Sequence, residues 1–307
     1  MFAGRHIIST REFSKEEIDH ILDVAEGLEQ YSFGKKKGDL LSGKLFAMLF
    51  FEPSTRTRLS FEAAAKRLGA STIGFSSGEF TSIAKGESLA DTVRVLSGYA
   101  DALIIRHPRE GAARVASLYS RVPIINAGDG AGHHPTQTLL DLYTLKKECG
   151  LQGVRIALVG DLKYGRTVHS LVYALSLYGA EMYFVSPEEL SMPDHIITDL
   201  MQRGVHVHES QSLQEVLGEV DAVYLTRIQK ERFPDPAEYQ RVAGSYKLTA
   251  DMLEGAKPHT IVMHPLPRVE EIAADVDSTS HARYFEQSNY GVPIRMAVLC
   301  LLIGVIE

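Results

Sequence analysis

At 307 residues the chain is long enough for about two domains, and its 45% hydrophobic and 23% charged residues are ordinary for a soluble globular protein. Its net charge of −7 leaves no general basic field for nucleic acid, so any anionic ligand must be drawn by locally clustered Arg and Lys. Cys149 and Cys300 lie far apart in no metal-ligand pattern and are expected to be buried free thiols in a reducing compartment, the cytoplasm.

The first residues lack the apolar region of a signal peptide. Apolar strand-like runs then alternate with helical patterns, which predicts an α/β protein of two doubly wound domains, each with a mainly parallel sheet flanked by helices. Strands are expected at residues 45–51, 72–75, 102–106 and 122–126, and helices at 58–68, 88–97, 112–119 and 135–147. A second set places strands at 155–160, 182–185, 222–226 and 260–263, with helices at 167–178 and 213–217 between them. Ser212 and Glu215 have capping-box spacing. The glycine-containing stretch 149–153 reads as the boundary between domains. Residues 76–87 and 230–238 read as loops, and 298–306 as a buried final helix too short to span a bilayer, interrupted upstream by Pro293 and Arg295.

Ser54-Thr55-Arg56-Thr57-Arg58 sits where the first strand-like run meets a helix. Free backbone N–H groups and the positive end of the helix dipole point the same way there, so an anion such as a phosphoryl group should dock. Ser54 or Thr55 as a mere N-cap is the plainer reading, but five donors in five residues disfavour it. Residues two apart on a helix face nearly opposite sides, so one arginine is expected to face the ligand and the other to pair with a carboxylate; Arg56 is taken as the one for the ligand.

The other motifs also fall at the carboxyl ends of strands, where open α/β sheets bind ligands. Arg106 ends one strand. A glycine-rich loop, 128–132, leads to His133-His134-Pro135, with His134 at the N-cap and Gln137 one turn later. The helix dipole favours a neutral imidazole at that position, able to polarise a carbonyl oxygen. His134 alone also reads as a simple cap, and no carboxylate or thiol at ligand spacing supports a metal. Gly160 to Thr167 nearly spells G-x-x-x-x-G-K-[ST], but Arg166 stands where Lys belongs and bulky residues fill the loop. Arg166 therefore reads as a fork for a carboxylate, with a phosphate-binding loop as the minority alternative. Arg227 and Gln229 share one face of an extended segment and again suit a carboxylate. His264-Pro265-Leu266-Pro267-Arg268 forms a stiff loop whose carbonyls can accept hydrogen bonds. Lys85 by itself reads as a solvated lysine. Together these groups describe a pocket for a phosphoryl-like anion and a carboxylate, with group transfer driven by positioning and charge stabilisation.

S-T-R-T-R, H-P-T-Q, G-D-L-K-Y-G-R-T-V-H-S and H-P-L-P-R, in this order, resemble the aspartate/ornithine carbamoyltransferase family over nearly the whole chain. Pro265 stands where ornithine enzymes carry a cysteine, which favours the aspartate branch; a related transcarbamylase with another amino-acid acceptor is the alternative. The resemblance implies carbamoyl transfer from carbamoyl phosphate to L-aspartate, the committed step toward pyrimidines, without cofactor or metal. It implies that Ser54, Thr55, Arg56 and Thr57 hold the phosphate and that Thr57, Arg106 and His134 address the carbonyl oxygen. Gln137 and the carbonyls of Leu266 and Pro267 would take the amide, and Arg166, Arg227 and Gln229 the aspartate carboxylates. Lys85, assisted by Thr81 or Ser82, would reach a neighbouring subunit's aspartate site and its chemistry. That implies a homotrimer with shared active sites, to which a separate regulatory chain attaches in some members. The resemblance also implies a carbamoyl-phosphate domain of residues 1–149 plus 288–307, the final helix returning to it, and an aspartate domain of 150–287. Gly132-His133 replaces the Asn-Gln often seen before His134.

Overall fold

Leu45–Phe50 (β1), Ala102–His107 (β3) and Ile124–Asp129 (β4) are almost entirely buried, as near-continuous apolar runs must be when a strand is covered on both faces. They join Ser71–Phe75 (β2), a more exposed edge strand, in a four-stranded sheet of order β2-β1-β3-β4, parallel throughout. A second parallel sheet runs β7-β6-β5-β8-β9, from Arg155–Val159 (β5), Glu181–Val185 (β6), Val207–Ser210 (β7), Ala222–Leu225 (β8) and Ile261–Met263 (β9). The computed structural model describes residues 2–77, 82–130, 132–228, 242 and 246–307.

In each sheet the chain builds outward on one side and then reverses. The reversal falls between β1 and β3 in the first and between β5 and β8 in the second. The crevice at such a reversal, outside the carboxyl ends of the strands, is where a doubly wound sheet can hold a ligand.

The chain divides into two compact units, Met1–Leu140 with Tyr290–Glu307, and Asp141–Asn289. The divisions fall within Pro135–Glu148 (α5) and Tyr284–Ile303 (α9). In the first unit Ala47, Leu49, Leu103 and Ile105 pack with Val93, Ala113 and Ala116 from Leu89–Leu96 (α3) and Ala112–Ser117 (α4). In the second, Ala157, Val159, Val223 and Leu225 pack with Leu213 and Val216 of Leu213–Val216 (α8).

Several elements depart from expectation. Lys15–Ser32 (α1) opens on a complete capping box between Ser14 and Glu17 and buries Ile18, Ile21, Leu22, Ala25 and Leu28; both signals are in the sequence and were not predicted as a helix. Asp194–Gln202 (α7) and β7 are also additional. Only half of the Ser212–Glu215 box forms, with the Ser212 hydroxyl accepting from the Glu215 N–H at 3.4 Å. The helix expected at 58–68 is Thr55–Arg67 (α2), beginning a turn earlier, and the one at 167–178 is Arg166–Ser176 (α6). Pro293 does not interrupt the final helix, which passes through it. A Cβ at Gly291 would meet the Arg295 guanidinium at 2.2 Å, so that glycine makes room for a buried arginine stacked over Phe61, and burial of Ile294 to Leu302 outweighs the lost backbone bond. Ser82–Lys85, within the expected loop 76–87, forms one 3-10 turn; the segment 230–238 lies outside the described residues. Cys300 is buried, but Cys149 is half-buried because the chain there leaves α5; both are free thiols, and burial pushes each up to about 12. No helix among the described residues is long and apolar enough to cross a membrane.

Candidate active site

The end of β1 and the start of α2 place Ser54 at the N-cap with extended backbone, but its hydroxyl makes no capping bond. The first-turn N–H groups of α2 are therefore not taken by the side chain that normally takes them. Arg58 pairs with Glu62 one turn on, at 2.9 Å. Arg56 is exposed by surface area and makes no hydrogen bond or ion pair among the described residues. Enough protein surrounds its guanidinium that partial burial, and then the charge of Arg106, lowers its pKa. Two guanidinium groups close enough to oppose each other, one without an acid, form a site that an anion relieves.

Arg106 comes from β3, across the reversal. β1 and β3 are in register there, Phe50 opposite Arg106, and the Phe51 N–H donates to the Arg106 carbonyl at 2.8 Å. Its guanidinium donates to the Ala127 carbonyl at 3.2 Å and to Glu52 at 3.1 Å. The Nε–H is buried without a partner among the described residues. These bonds fix the planar group while leaving donors for a ligand.

His134 and Thr57 meet in the same unit, the Thr57 hydroxyl 3.4 Å from His134 Nε2, and both are buried. The His134 carbonyl accepts from the N–H groups of Gln137 and Thr138, which makes His134 the N-cap of α5, with Gln137 half-buried a turn later. The preceding loop is shaped by Asp129. Its carboxylate accepts from the Asn126 amide at 3.0 Å and from the N–H groups of His133 and Gly111 at 2.8 and 2.9 Å. A Cβ on Gly130 would lie 2.6 Å from the Glu110 nitrogen, so glycine is needed for the two loops to close together.

The second unit repeats the plan. The loop after β5 packs on the end of β8: Gly160, at φ +109, has the Thr226 carbonyl where a Cβ would sit, and the Asp161 N–H donates to the Thr226 hydroxyl at 3.0 Å. Arg166 is the first residue of α6 and is buried; Arg227 follows β8 and is half-buried. The two flank the reversal between β5 and β8. Asp161 is fully buried and accepts the Tyr164 N–H at 2.8 Å. A carboxylate inside the loop, using a backbone donor, counts against the phosphate-loop alternative.

Leu266 and Pro267 follow β9, with Leu266 at φ +53. Lys85 is exposed and bonds to nothing among the described residues. Gln229 and Thr81 lie outside the described residues, as does the Ser82 side chain. Sequence reasoning missed the supports: Glu52 on Arg106, Asp129 under the glycine loop, and Asp141, Gln287 and Glu271 around the 264–267 loop. Asp141, an acid set between Leu140 and Leu142 in the sequence, was the available signal.

The chain matches the family described as aspartate/ornithine carbamoyltransferase, its carbamoyl-P binding domain over residues 5–147 and its Asp/Orn binding domain over 152–302. It belongs to that family. A relative named aspartate carbamoyltransferase catalytic subunit, from Methanocella arvoryzae, is 63% identical over 306 residues, covering 99% of each chain. Among solved structures, the catalytic subunit of M. jannaschii aspartate transcarbamoylase is 57% identical with a TM-score of 0.91, covering 98% of both chains. Aspartate transcarbamoylase from Trypanosoma cruzi, in complex with carbamoyl phosphate and aspartate, is 41% identical with a TM-score of 0.93 and covers 98% of both. Both halves of the family's pattern are thus present in one chain.

Proposed function

We propose that this chain transfers the carbamoyl group of carbamoyl phosphate to the α-amine of L-aspartate, giving N-carbamoyl-L-aspartate and phosphate, toward pyrimidines. The observation that carries the reading is Arg56, a guanidinium without an acid partner among the described residues, set against Arg106 at the reversal of the first sheet. The relatives' names and the substrates in the T. cruzi complex supply the chemical identity.

In this reading Ser54, Thr55, Arg56 and Thr57 hold the phosphate at the start of α2. Thr57, Arg106 and His134 hold the carbonyl oxygen, and Gln137 with the Leu266 and Pro267 carbonyls holds the amide. Arg166, Arg227 and Gln229 take the carboxylates of aspartate. The amine nitrogen attacks the carbamoyl carbon, and its oxygen gains negative charge opposite the three donors. The carbon–oxygen bond to phosphate then breaks, and the departing phosphate takes the amine proton. No protein base is required.

The assembly is read as a homotrimer in which Lys85, with Thr81 or Ser82, completes a neighbour's site. Its exposure without a described partner supports this, as do the exposed Leu59, Ile73, Val95, Tyr99, Val115 and Leu118, all in the first unit. The carbamoyl-phosphate role is assigned to residues 1–149 with 288–307 and the aspartate role to 150–287. The relatives' designation as a catalytic subunit supports a separate regulatory partner. The reaction is assigned to the cytoplasm, where two free thiols stay reduced.

The test is carbamoyl transfer from carbamoyl phosphate with aspartate, ornithine and other amino acids supplied separately, reading phosphate and the carbamoylated product. Aspartate is expected to be the preferred acceptor. Transfer to ornithine instead, or no phosphate release with any acceptor, overturns the reading.

A further inference from the structure

The 264–267 loop is held by two buried clamps that the transfer mechanism does not use. One holds the backbone: the His264 N–H donates to Gln287 Oε1 at 2.8 Å, Gln287 Nε2 donates to Asp141 at 2.7 Å, and the other Asp141 oxygen accepts from the Tyr224 hydroxyl at 3.0 Å. The second works through the imidazole. His264 Nδ1 accepts the Leu266 N–H at 2.8 Å, while Nε2 lies 2.8 Å from the Glu271 carboxylate. Glu271 is tied in turn by the N–H groups of Val269 and Glu270, at 3.2 and 3.1 Å.

These bonds fix the histidine's chemistry. Nδ1 can accept from Leu266 only if it carries no proton, so the proton sits on Nε2 and points at Glu271. Glu271 thereby selects the tautomer that grips Leu266. Leu266 needs gripping, because its φ of +53 lies in the left-handed region that a side chain disfavours. His264 is 1% exposed, so water cannot replace the bond.

We propose that His264, its tautomer set by Glu271, is a positioning residue that aims the Leu266 carbonyl at the amide of carbamoyl phosphate. This rests on the function proposed above and assigns it a selectivity: the pair distinguishes an amide from a group of the same shape without N–H. Acetyl phosphate is such a probe, with methyl where carbamoyl phosphate has its amide.

The test uses full-length His264→Gln and His264→Asn. Asparagine can place its oxygen near the Nδ1 position and keep the Leu266 bond; glutamine reaches Glu271 but cannot. His264→Gln is expected to weaken carbamoyl phosphate about 10-fold or more, judged by KM, while inhibition by acetyl phosphate and by inorganic phosphate stays near wild type. His264→Asn should retain most of the carbamoyl phosphate affinity. Equal weakening of all three ligands in His264→Gln, or no change in any, overturns the proposal. If His264→Gln does not fold, Glu271→Gln carries the test, since its amide N–H would face the Val269 and Glu270 N–H groups. Severalfold selective weakening supports the proposal and an unchanged KM overturns it. Wild-type protein that transfers no carbamoyl group to aspartate would instead overturn the underlying function.

Discussion

Arg56 and Arg58, two residues apart on α2, have opposite surroundings: Arg58 pairs with Glu62, whereas Arg56 has no acid partner among the described residues and is opposed by the charge of Arg106. Helical spacing alone anticipated that split, because it concerns neighbours on one turn. The cap position of His134 is likewise local, although it takes the fold to bring Thr57, 77 positions earlier, against it. Removing one donor to a developing oxyanion typically costs about 10²–10³ in rate. His134→Ala should therefore lower kcat by roughly that factor, with phosphate affinity nearly unchanged; equal turnover in steady-state assays would remove it from the mechanism. What could not be read locally is the support around each group. Glu52 reaches Arg106 from a different strand end, and His264, Gln287 and Asp141 are joined across 146 positions of sequence between the last two. A buried carboxylate signals that a partner exists but not which residue it is.

At the scale of elements, α1 is the part of the first unit whose stability depends most visibly on its end. Ser14 and Glu17 satisfy each other's backbone N–H groups at 3.2 and 3.0 Å. Ser14→Ala should cost about 1 kcal/mol, lowering the thermal midpoint by about 2–4 °C; calorimetry against wild type measures it. In the second unit Asp221 ties β5 to β8 at their amino ends, accepting from the Arg155 N–H, Lys257 and His259. Burial works to raise its pKa, but those three bonds outweigh it and hold the carboxyl low. A depressed folded-state pKa adds stability above the unfolded value, and that stability is lost as pH falls through the folded one. Asp221→Asn should thus destabilise the protein at neutral pH and converge with wild type as pH falls below the depressed folded-state value, followed by urea titration at each pH. The central strands β1, β3, β5 and β8 were legible because burial on both faces leaves an unbroken apolar run. β7 was not, since an edge strand none of whose residues is buried carries no such run. The start of α2 was blurred by the polar residues Thr55, Arg56 and Thr57 that occupy its first turn.

For the whole molecule, net charge −7 opposes two anionic substrates, so attraction must come from the local arginines, and added salt should matter less than it does for a basic surface. Sharing of sites between copies has a direct test. Lys85→Ala and Arg56→Ala chains refolded together should recover activity that neither has alone, in particles about three times the 33.9 kDa chain by sedimentation. A mixture as inactive as its components excludes sharing. The bond from Gln287 to Asp141 has a bearing on biosynthesis. It joins the first and nearly the last residue of the second unit, so that unit is a closed insert whose ends meet. Residues 290–307, which finish the first unit, are translated after all of it. The second unit is therefore synthesised in full before the closing segment of the first, which sets the usual amino-terminal-first order of maturation against the order in which the two units become complete.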